Sequence, residues 1–362
     1  MKIVEVISSL NSRGGAEVFL ISLSKGLSKK NEVYLLSLYD GLNPLFEAEI
    51  NKSKIHYICC HKKSRIDFKA ASFLRKTLKR IQPDIVNFHL SFLATYYLAF
   101  GTRKHQWQLI ETFHSIPGSD LTRFDNFLRK KYINKSRLSF IGISDRITKS
   151  ALDKFGPINI QTIYNGIDLD ASRVDAESIS EKDFDFICVA NMLAVKNHAL
   201  LLEAFKLFLK RFPQSRLLLV GGGPMLEYNK DLSVHLEISD HVVFTGFVDD
   251  VRQFYLRSKI FVLASKREGN PISILEAMSF GLPVIAPNVG GIPDIVQNEY
   301  NGFLFENGSK EELLQCMLAM RENEEKMARF AATNVDTSKK YGIEFACDKY
   351  AEYFNRIVAS SK

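Results

Sequence analysis

The chain has 362 residues, 46% of them apolar and 25% charged, an ordinary globular composition with enough length for two hydrophobic cores. No run of about 18 apolar residues occurs, which excludes a membrane-spanning helix. The charge is divided. Residues 1–165 hold 26 Lys+Arg against 13 Asp+Glu, a net of +13, and the rest hold 22 against 28, a net of −6, together the +7 of the whole chain. A basic first half suits an anionic partner, either a membrane surface or nucleic acid, or else only solvated outer faces of helices.

Short apolar runs alternate with amphipathic stretches from end to end, the pattern of βαβ units around parallel sheets. In the first half, strands are predicted near 2–8, 33–39, 55–60, 84–89, 107–113, 138–143 and 160–164. The opening MKIVEVISSL reads as the first strand and lacks the apolar core and cleavage site of a signal peptide. In the loop after it, Gly14 and Gly15 either let the backbone approach a phosphate at a helix N-terminus or simply make a tight turn. Further on, Lys62, Lys63, Arg65, Lys69, Arg75, Lys76, Lys79 and Arg80 form one basic cluster, and Arg123, Arg129, Lys130, Lys131, Lys135 and Arg137 a second. The stretch FKAASFLRKTLKR can gather Phe68, Phe73, Leu74 and Leu78 with cations beside them, as interfacial helices do. Equally, those apolar residues can pack on the sheet beneath. His89 ends the fourth predicted strand and His114 follows the fifth, where a histidine either faces a ligand or is hydrogen-bonded within the structure.

Residues 165–183 are polar without apolar periodicity and read as a linker. The expected domains are 1–166 and 167–341, with a terminal helix of about 342–362 completing the first. Five scattered cysteines, Cys59, Cys60, Cys188, Cys316 and Cys347, show no metal-like spacing and suit reduced thiols of a cytoplasmic protein.

In the second half, strands are predicted near 184–190, 216–220, 242–245, 260–264, 283–286 and 302–305. After the first of these comes VANMLAVKNH, with Asn191 and Lys196. RLLLVGGGP places Gly221, Gly222 and Gly223 at a strand end, where a nucleotide can pass close to the backbone. In EGNPISILEAM, Asn270 is a good N-cap and Pro271 suits the first helical position. Glu268 then lies in the preceding loop, and Glu276 about one and a half turns inside the helix. The amides near Asn270, Ile272 and Ser273 form an anion site reinforced by the helix dipole. Two carboxylates flanking an anion pocket suit a ligand with phosphate in the middle and hydroxyls at both ends, such as a sugar nucleotide.

The segment EGNPISILEAMSFGLPVIAPNVGG closely resembles the donor-site segment of retaining glycosyltransferases of family 4, and the resemblance extends more thinly over nearly the whole chain. It implies an α/β fold of the GT-B type: two Rossmann-like domains with parallel sheets facing across a cleft, the first for the acceptor and the second for the donor. By resemblance, Glu268 holds hydroxyls of the donor sugar, Glu276 the ribose hydroxyls, and His114 reaches the donor sugar. The Gly14–Gly15 loop faces the diphosphate, and Phe247 and Val248 lie in the loop that reads the base through main-chain groups. Lys196 matches the family's diphosphate-gripping lysine, whereas Asn191 stands where an arginine is usual, so one positive charge is missing. Lys196 then carries more of the leaving-group stabilisation, or Arg13 or Lys266 assists.

Transfer breaks a sugar–phosphate bond through an oxocarbenium-like state while negative charge gathers on the diphosphate, which Lys196 and helix-terminal amides can stabilise. No DxD-like motif stands in a strand-end loop, so neither a catalytic metal nor another cofactor is expected. The leading expectation is a retaining glycosyltransferase on the inner face of the plasma membrane. It would move a hexose or N-acetylhexosamine, with a UDP-sugar favoured as donor, to a lipid-linked saccharide of a bacterial surface polysaccharide. The alternatives are a sugar-nucleotide epimerase or glycosyl phosphorylase on the same plan, and a nucleic-acid-binding protein using the basic half. Against the last, no helix-turn-helix, RNP-like or zinc pattern occurs and the second half is acidic.

Overall fold

The computed structural model describes residues 1–64, 67–90, 107–117, 138–170 and 182–360. Arg65, the second basic cluster from Arg123 to Arg137, and residues 171–181 of the expected linker lie outside the described residues. The chain divides into two compact units, Met1–Gly166 with Ile343–Lys362, and Ile167–Gly342.

Each predicted run forms a strand. In the first unit these are β1 (Lys2–Ile7), β2 (Glu32–Ser37), β3 (Ile55–Cys59), β4 (Ile85–His89), β5 (Gln108–Phe113), β6 (Leu138–Gly142) and β7 (Ile160–Thr162). They pair in parallel in the order β3-β2-β1-β4-β5-β6-β7. Val4, Val6, Val86, Phe88 and Phe140 join one core with Leu74, Leu78 and Ile147, while Ile7 and Leu35 join another with Leu20 and Ile21. Near-continuous apolar runs are what a parallel sheet covered on both faces requires.

In the second unit β8 (Phe184–Val189), β9 (Leu217–Val220), β10 (Val242–Gly246), β11 (Ser258–Val262), β12 (Val284–Pro287) and β13 (Gly302–Phe305) pair in parallel in the order β10-β9-β8-β11-β12-β13. Strand order therefore reverses between β1 and β4, and again between β8 and β11. Such switch points open a crevice at the carboxyl ends of the strands, where ligands of this fold class bind.

The terminal helix Ile343–Ala359 belongs to the first unit. Tyr350 meets Phe19 of the helix Gly15–Ser28 with ring centroids 6.0 Å apart, and the Tyr353 hydroxyl donates to the Phe140 carbonyl at 3.1 Å. The helix Phe68–Ile81 starts where the Asp67 carboxylate accepts from the Lys69 and Ala70 amides. It buries Leu74 and Leu78, which pack on the sheet beneath, and leaves Phe68 and Phe73 exposed. Lys69, Arg75, Lys76, Lys79 and Arg80 are exposed around those phenylalanines. Lys62 is not part of that basic face. It is buried, with its ammonium 4.6 Å from the centre of the Tyr39 ring. Among the described residues no helix is long and apolar enough to cross a membrane.

Candidate active site

At the switch point of the second unit, the loop after β8 and the loop after β11 bring two charges together. A short helical turn, Ala194–Lys196, carries the lysine, and the Lys266 amide donates to the Val195 carbonyl at 2.8 Å, tying the two loops. Lys196 Nζ lies 2.6 Å from Glu268 Oε1, with the Glu268 side chain only 8% exposed and that of Lys196 23% exposed. Glu268 is held from behind by Gly290, whose φ is +53°. A Cβ there would sit 1.6 Å from the Glu268 carbonyl oxygen, so only glycine permits this approach. Lys266, offered as an assisting cation, is exposed. Arg13, the other, lies in the first unit with its guanidinium 5.9 Å from the Phe46 ring centre.

The helix after Glu268 runs Ile272–Ser279, one residue later than expected, and Pro271 itself occupies the cap position with ψ 115°. Asn270 is not the N-cap. Its side chain is buried instead of turning back to the first helical turn, so no side chain caps the helix. The amides of Ile272 and Ser273 have no carbonyl one turn earlier to accept from them, which keeps the anion-binding logic intact. Ser273 and Glu276, three residues apart, share the half-exposed face. Glu276 Oε2 accepts from the Tyr255 hydroxyl at 2.9 Å, and that hydroxyl is also 3.3 Å from the Ser273 carbonyl. Tyr255 is wholly buried, and burial, then the nearby Glu276, holds its hydroxyl well above the ordinary range, so it stays a donor.

Three further loops meet beside the end of β8. The Met192 amide donates to the Gly222 carbonyl at 2.8 Å and the Gly221 amide to the Gly246 carbonyl at 3.0 Å. A Cβ on Gly222 would strike the Phe247 ring at 2.7 Å. Phe247, 68% exposed, thus lies with its ring against the backbone of the glycine loop and Asn191 one residue before the Met192 contact. Val248 follows, half-buried.

In the first unit Gly14 caps the helix Gly15–Ser28, and a Cβ on it would lie 2.4 Å from a carboxylate oxygen of Glu17 in the first turn. Burial raises the Glu17 carboxyl above its ordinary range. His114 and His89 are not separate candidates. Their facing nitrogens, Nε2 and Nδ1, are 2.8 Å apart, and His89 Nε2 is 2.7 Å from Glu5 Oε2. Burial holds both imidazoles below the ordinary histidine range, His89 at about 3, with His89 adding to the effect on His114. Both rings are neutral at physiological pH.

Asp40, Cys59 and His61 bring ligand-type atoms within 4.8 Å of one another at the ends of β2 and β3. Asp40 and His61 are exposed, and all three already hydrogen-bond among themselves. All five cysteines are free.

Sequence reading missed Tyr255, Gly290 and Glu5. The signal for Glu5 was available, since KIVEVI places a carboxylate inside an otherwise apolar central strand.

Two parallel-sheet Rossmann-like units with polar groups at their switch points define an α/β protein of the GT-B class. HepE of Anabaena in complex with UDP-glucose shares this fold, with a TM-score of 0.85 at 20% identity over 98% of this chain and 100% of that one. The family model for Glycosyltransferase Family 4 matches residues 13–171, and that for Glycosyl transferases group 1 matches residues 172–335. The chain belongs to glycosyltransferase family 4, and the protein is a glycosyltransferase. It is 27% identical over 354 residues to an uncharacterized glycosyltransferase of Haemophilus influenzae, covering 95% of this chain and 97% of that protein. It is also 25% identical over 371 residues to the GalNAc-alpha-(1->4)-GalNAc-alpha-(1->3)-diNAcBac-PP-undecaprenol alpha-1,4-N-acetyl-D-galactosaminyltransferase of Campylobacter jejuni, covering 100% and 99% of the two chains.

Proposed function

We propose that the protein is a retaining, metal-independent transferase that moves a hexose or N-acetylhexosamine from a UDP-sugar to a lipid-linked saccharide in bacterial surface-polysaccharide synthesis. The observation that carries this reading is the Lys196–Glu268 pair beside the open amides of Ile272 and Ser273. A diphosphate at those amides would draw the lysine ammonium toward itself and free Glu268 to accept hydroxyl protons of the sugar. As the sugar–phosphate bond breaks, the amides and Lys196 meet the charge growing on the leaving oxygen, and no group on the protein need form a covalent bond. Glu276, oriented by Tyr255, accepts from the ribose hydroxyls. Phe247 and Val248 border the base, with Gly222 and Asn191 beneath it. Pro271 and Asn270 set the turn that aims the amides, and the family resemblance adds His114 as a contact of the donor sugar and Gly14 and Gly15 as contacts of the diphosphate. The complex of HepE with UDP-glucose supports a UDP-sugar, and the undecaprenol-linked substrate in the name of the Campylobacter enzyme supports a lipid-linked acceptor.

The exposed Phe68 and Phe73 among five exposed cations support peripheral attachment to an anionic inner leaflet, with the protein otherwise in the cytoplasm. No role in nucleic-acid binding is proposed.

A thermal-shift series with UDP-, GDP-, ADP- and dTDP-sugars tests the donor. The cognate nucleotide sugar at a hundred times its Kd stabilises the fold by about 2.7 kcal/mol. Equal shifts from all four, or none, would sink the UDP-sugar assignment, and free epimer or phosphorolysis without acceptor would replace transfer by the other chemistries.

A further inference from the structure

One face of the first sheet carries a polar row of which the proposed donor site uses only the last member, His114. Glu5 of β1 lies opposite Asn87 of β4, and His89 opposite Thr112 of β5. Residues two apart share a face of a strand, so Glu5, Asn87, His89, Thr112 and His114 fall on one side. Glu5, Asn87 and His89 are wholly buried and Thr112 nearly so. Central parallel strands call for aliphatic residues, and polar ones there cost stability unless bonded.

They are bonded in a chain. The Thr112 hydroxyl donates to Asn87 Oδ1 at 3.0 Å, which sets the direction of the amide, and Asn87 Nδ2 donates to Glu5 Oε2 at 2.9 Å. The same carboxyl oxygen faces His89 Nε2, and His89 Nδ1 faces His114 Nε2. At the two ends, Glu5 Oε1 and His114 Nδ1 have no partner among the described residues.

We propose that Glu5 and His89 are positioning residues that decide which ring nitrogen of His114 carries its proton, and so whether His114 Nδ1 donates to a donor-sugar hydroxyl or accepts from it. The inference rests on the reading of His114 as a residue that meets the donor. With Glu5 protonated, its hydroxyl donates to His89 Nε2, His89 Nδ1–H donates to His114 Nε2, and His114 Nδ1–H points onward as a donor. When a proton leaves at that outer nitrogen, the others shift along the chain. His114 Nε2–H then donates to His89 Nδ1 and His89 Nε2–H to the Glu5 carboxylate, which leaves His114 Nδ1 an acceptor. One proton is lost and the charge rests on Glu5.

The surroundings favour the protonated form at neutral pH. The helix Ile343–Ala359 presents Tyr350 and Cys347 toward Glu5, both kept neutral by burial, Cys347 at about 12. The helix Gly15–Ser28 presents Phe19, its ring 6.5 Å from that of His114. No cation among these offsets the burial, which pushes the Glu5 carboxyl up to about 8.

The test is long-range nitrogen–proton NMR of the full chain labelled at histidine nitrogens, between about pH 6 and pH 9, with His89→Gln and His114→Gln to assign the signals. The expected result is that His89 and His114 exchange tautomers together in the wild type with a midpoint near 8, and that Glu5→Gln abolishes the exchange while the other histidine signals stay in place. A single His114 tautomer throughout in the wild type, or the same exchange in Glu5→Gln, overturns the relay. Turnover of His114→Ala, read as nucleoside diphosphate release from the nucleotide sugar with the largest thermal shift, separates the two ideas. Wild-type turnover there would sink the donor reading of His114, whereas a large loss beside an absent exchange would sink the relay alone.

Discussion

At the break in strand order between β1 and β4 the protein buries Glu5 and His89 completely. At the corresponding break between β8 and β11 it pairs Lys196 with Glu268 and keeps the lysine open to solvent. Burial without a counter-charge makes the first group neutral, because desolvation penalises whichever form is ionised. An ion pair partly open to solvent can stay charged. The same topological position thus offers a tautomer-setting chain in one unit and a charge reservoir in the other. A neutral chain is suited to orienting a hydroxyl, and a paired but partly exposed ammonium to meeting a diphosphate.

The comparison breaks most sharply at the charged pair. Glu268→Gln is expected to cut transfer by two to three orders of magnitude, roughly the loss of one aligned electrostatic contact, with the fold intact. Lys196→Ala should cost about a hundredfold in rate and also about 3 kcal/mol of stability, since it strands a buried carboxylate. Adding Glu268→Gln to it should restore the stability but not the rate. Urea unfolding beside steady-state turnover reads both. A double variant as unstable as Lys196→Ala would mean that the pair does not act as a charge pair, and a loss in rate below about fivefold would mean that another cation holds the diphosphate.

A smaller effect is expected at the ribose end. Glu276→Ala should raise the donor KM with little change in kcat, and Tyr255→Phe should do the same by less, about tenfold for one hydrogen bond to a charged group. Unchanged KM in Tyr255→Phe would separate that hydroxyl from the site.

Next comes pH. His89 and His198 hold protons less well folded than unfolded, at about 3 and about 4 against an ordinary 6.5, so stability falls as pH drops from about 6.5 toward 4. Glu5 works the other way. Its folded value of about 8 lies above the ordinary 4.5, so its contribution declines as pH rises between those values. Both nitrogens of buried His198 lack partners among the described residues, and His198→Leu should flatten the acid side alone. Glu5→Leu should flatten the decline between about pH 4.5 and 8. Unfolding midpoints across pH would expose the opposite pattern.

The weakest effect is expected at the surface. Flotation with anionic vesicles should fade with salt, exposed charges being screened over about 8–10 Å, and should fall in a Lys63→Ser, Arg75→Ser, Lys76→Ser variant. Lys62 is left in place because its ammonium packs on Tyr39. Equal recovery of both proteins would remove this helix from the membrane reading.

Much of this was legible in the residues. The alternation of apolar runs gave every strand among the described residues because a doubly covered parallel sheet needs them nearly unbroken, and the segment 265–291 singled out Glu268 and Glu276 through its resemblance to the family's donor-site segment. The start of that helix moved by one position when Asn270 turned into the core, a choice no local rule makes.

The sequence by itself determined the class of fold, the thirteen strands of the described residues, and the loops in which the proposed donor-side residues stand, all of which depend on residues near one another in the chain. Only tertiary structure decided the partners: Lys196 with Glu268 across 72 positions, Tyr255 with Glu276 across 21, and Glu5 with His89 across 84. The first and last of these arise from strand order, which brings the first and fourth strands of each unit side by side, and the second from two helices that flank β11. Strand order is set by the packing of the whole sheet, so no local stretch of sequence encodes it.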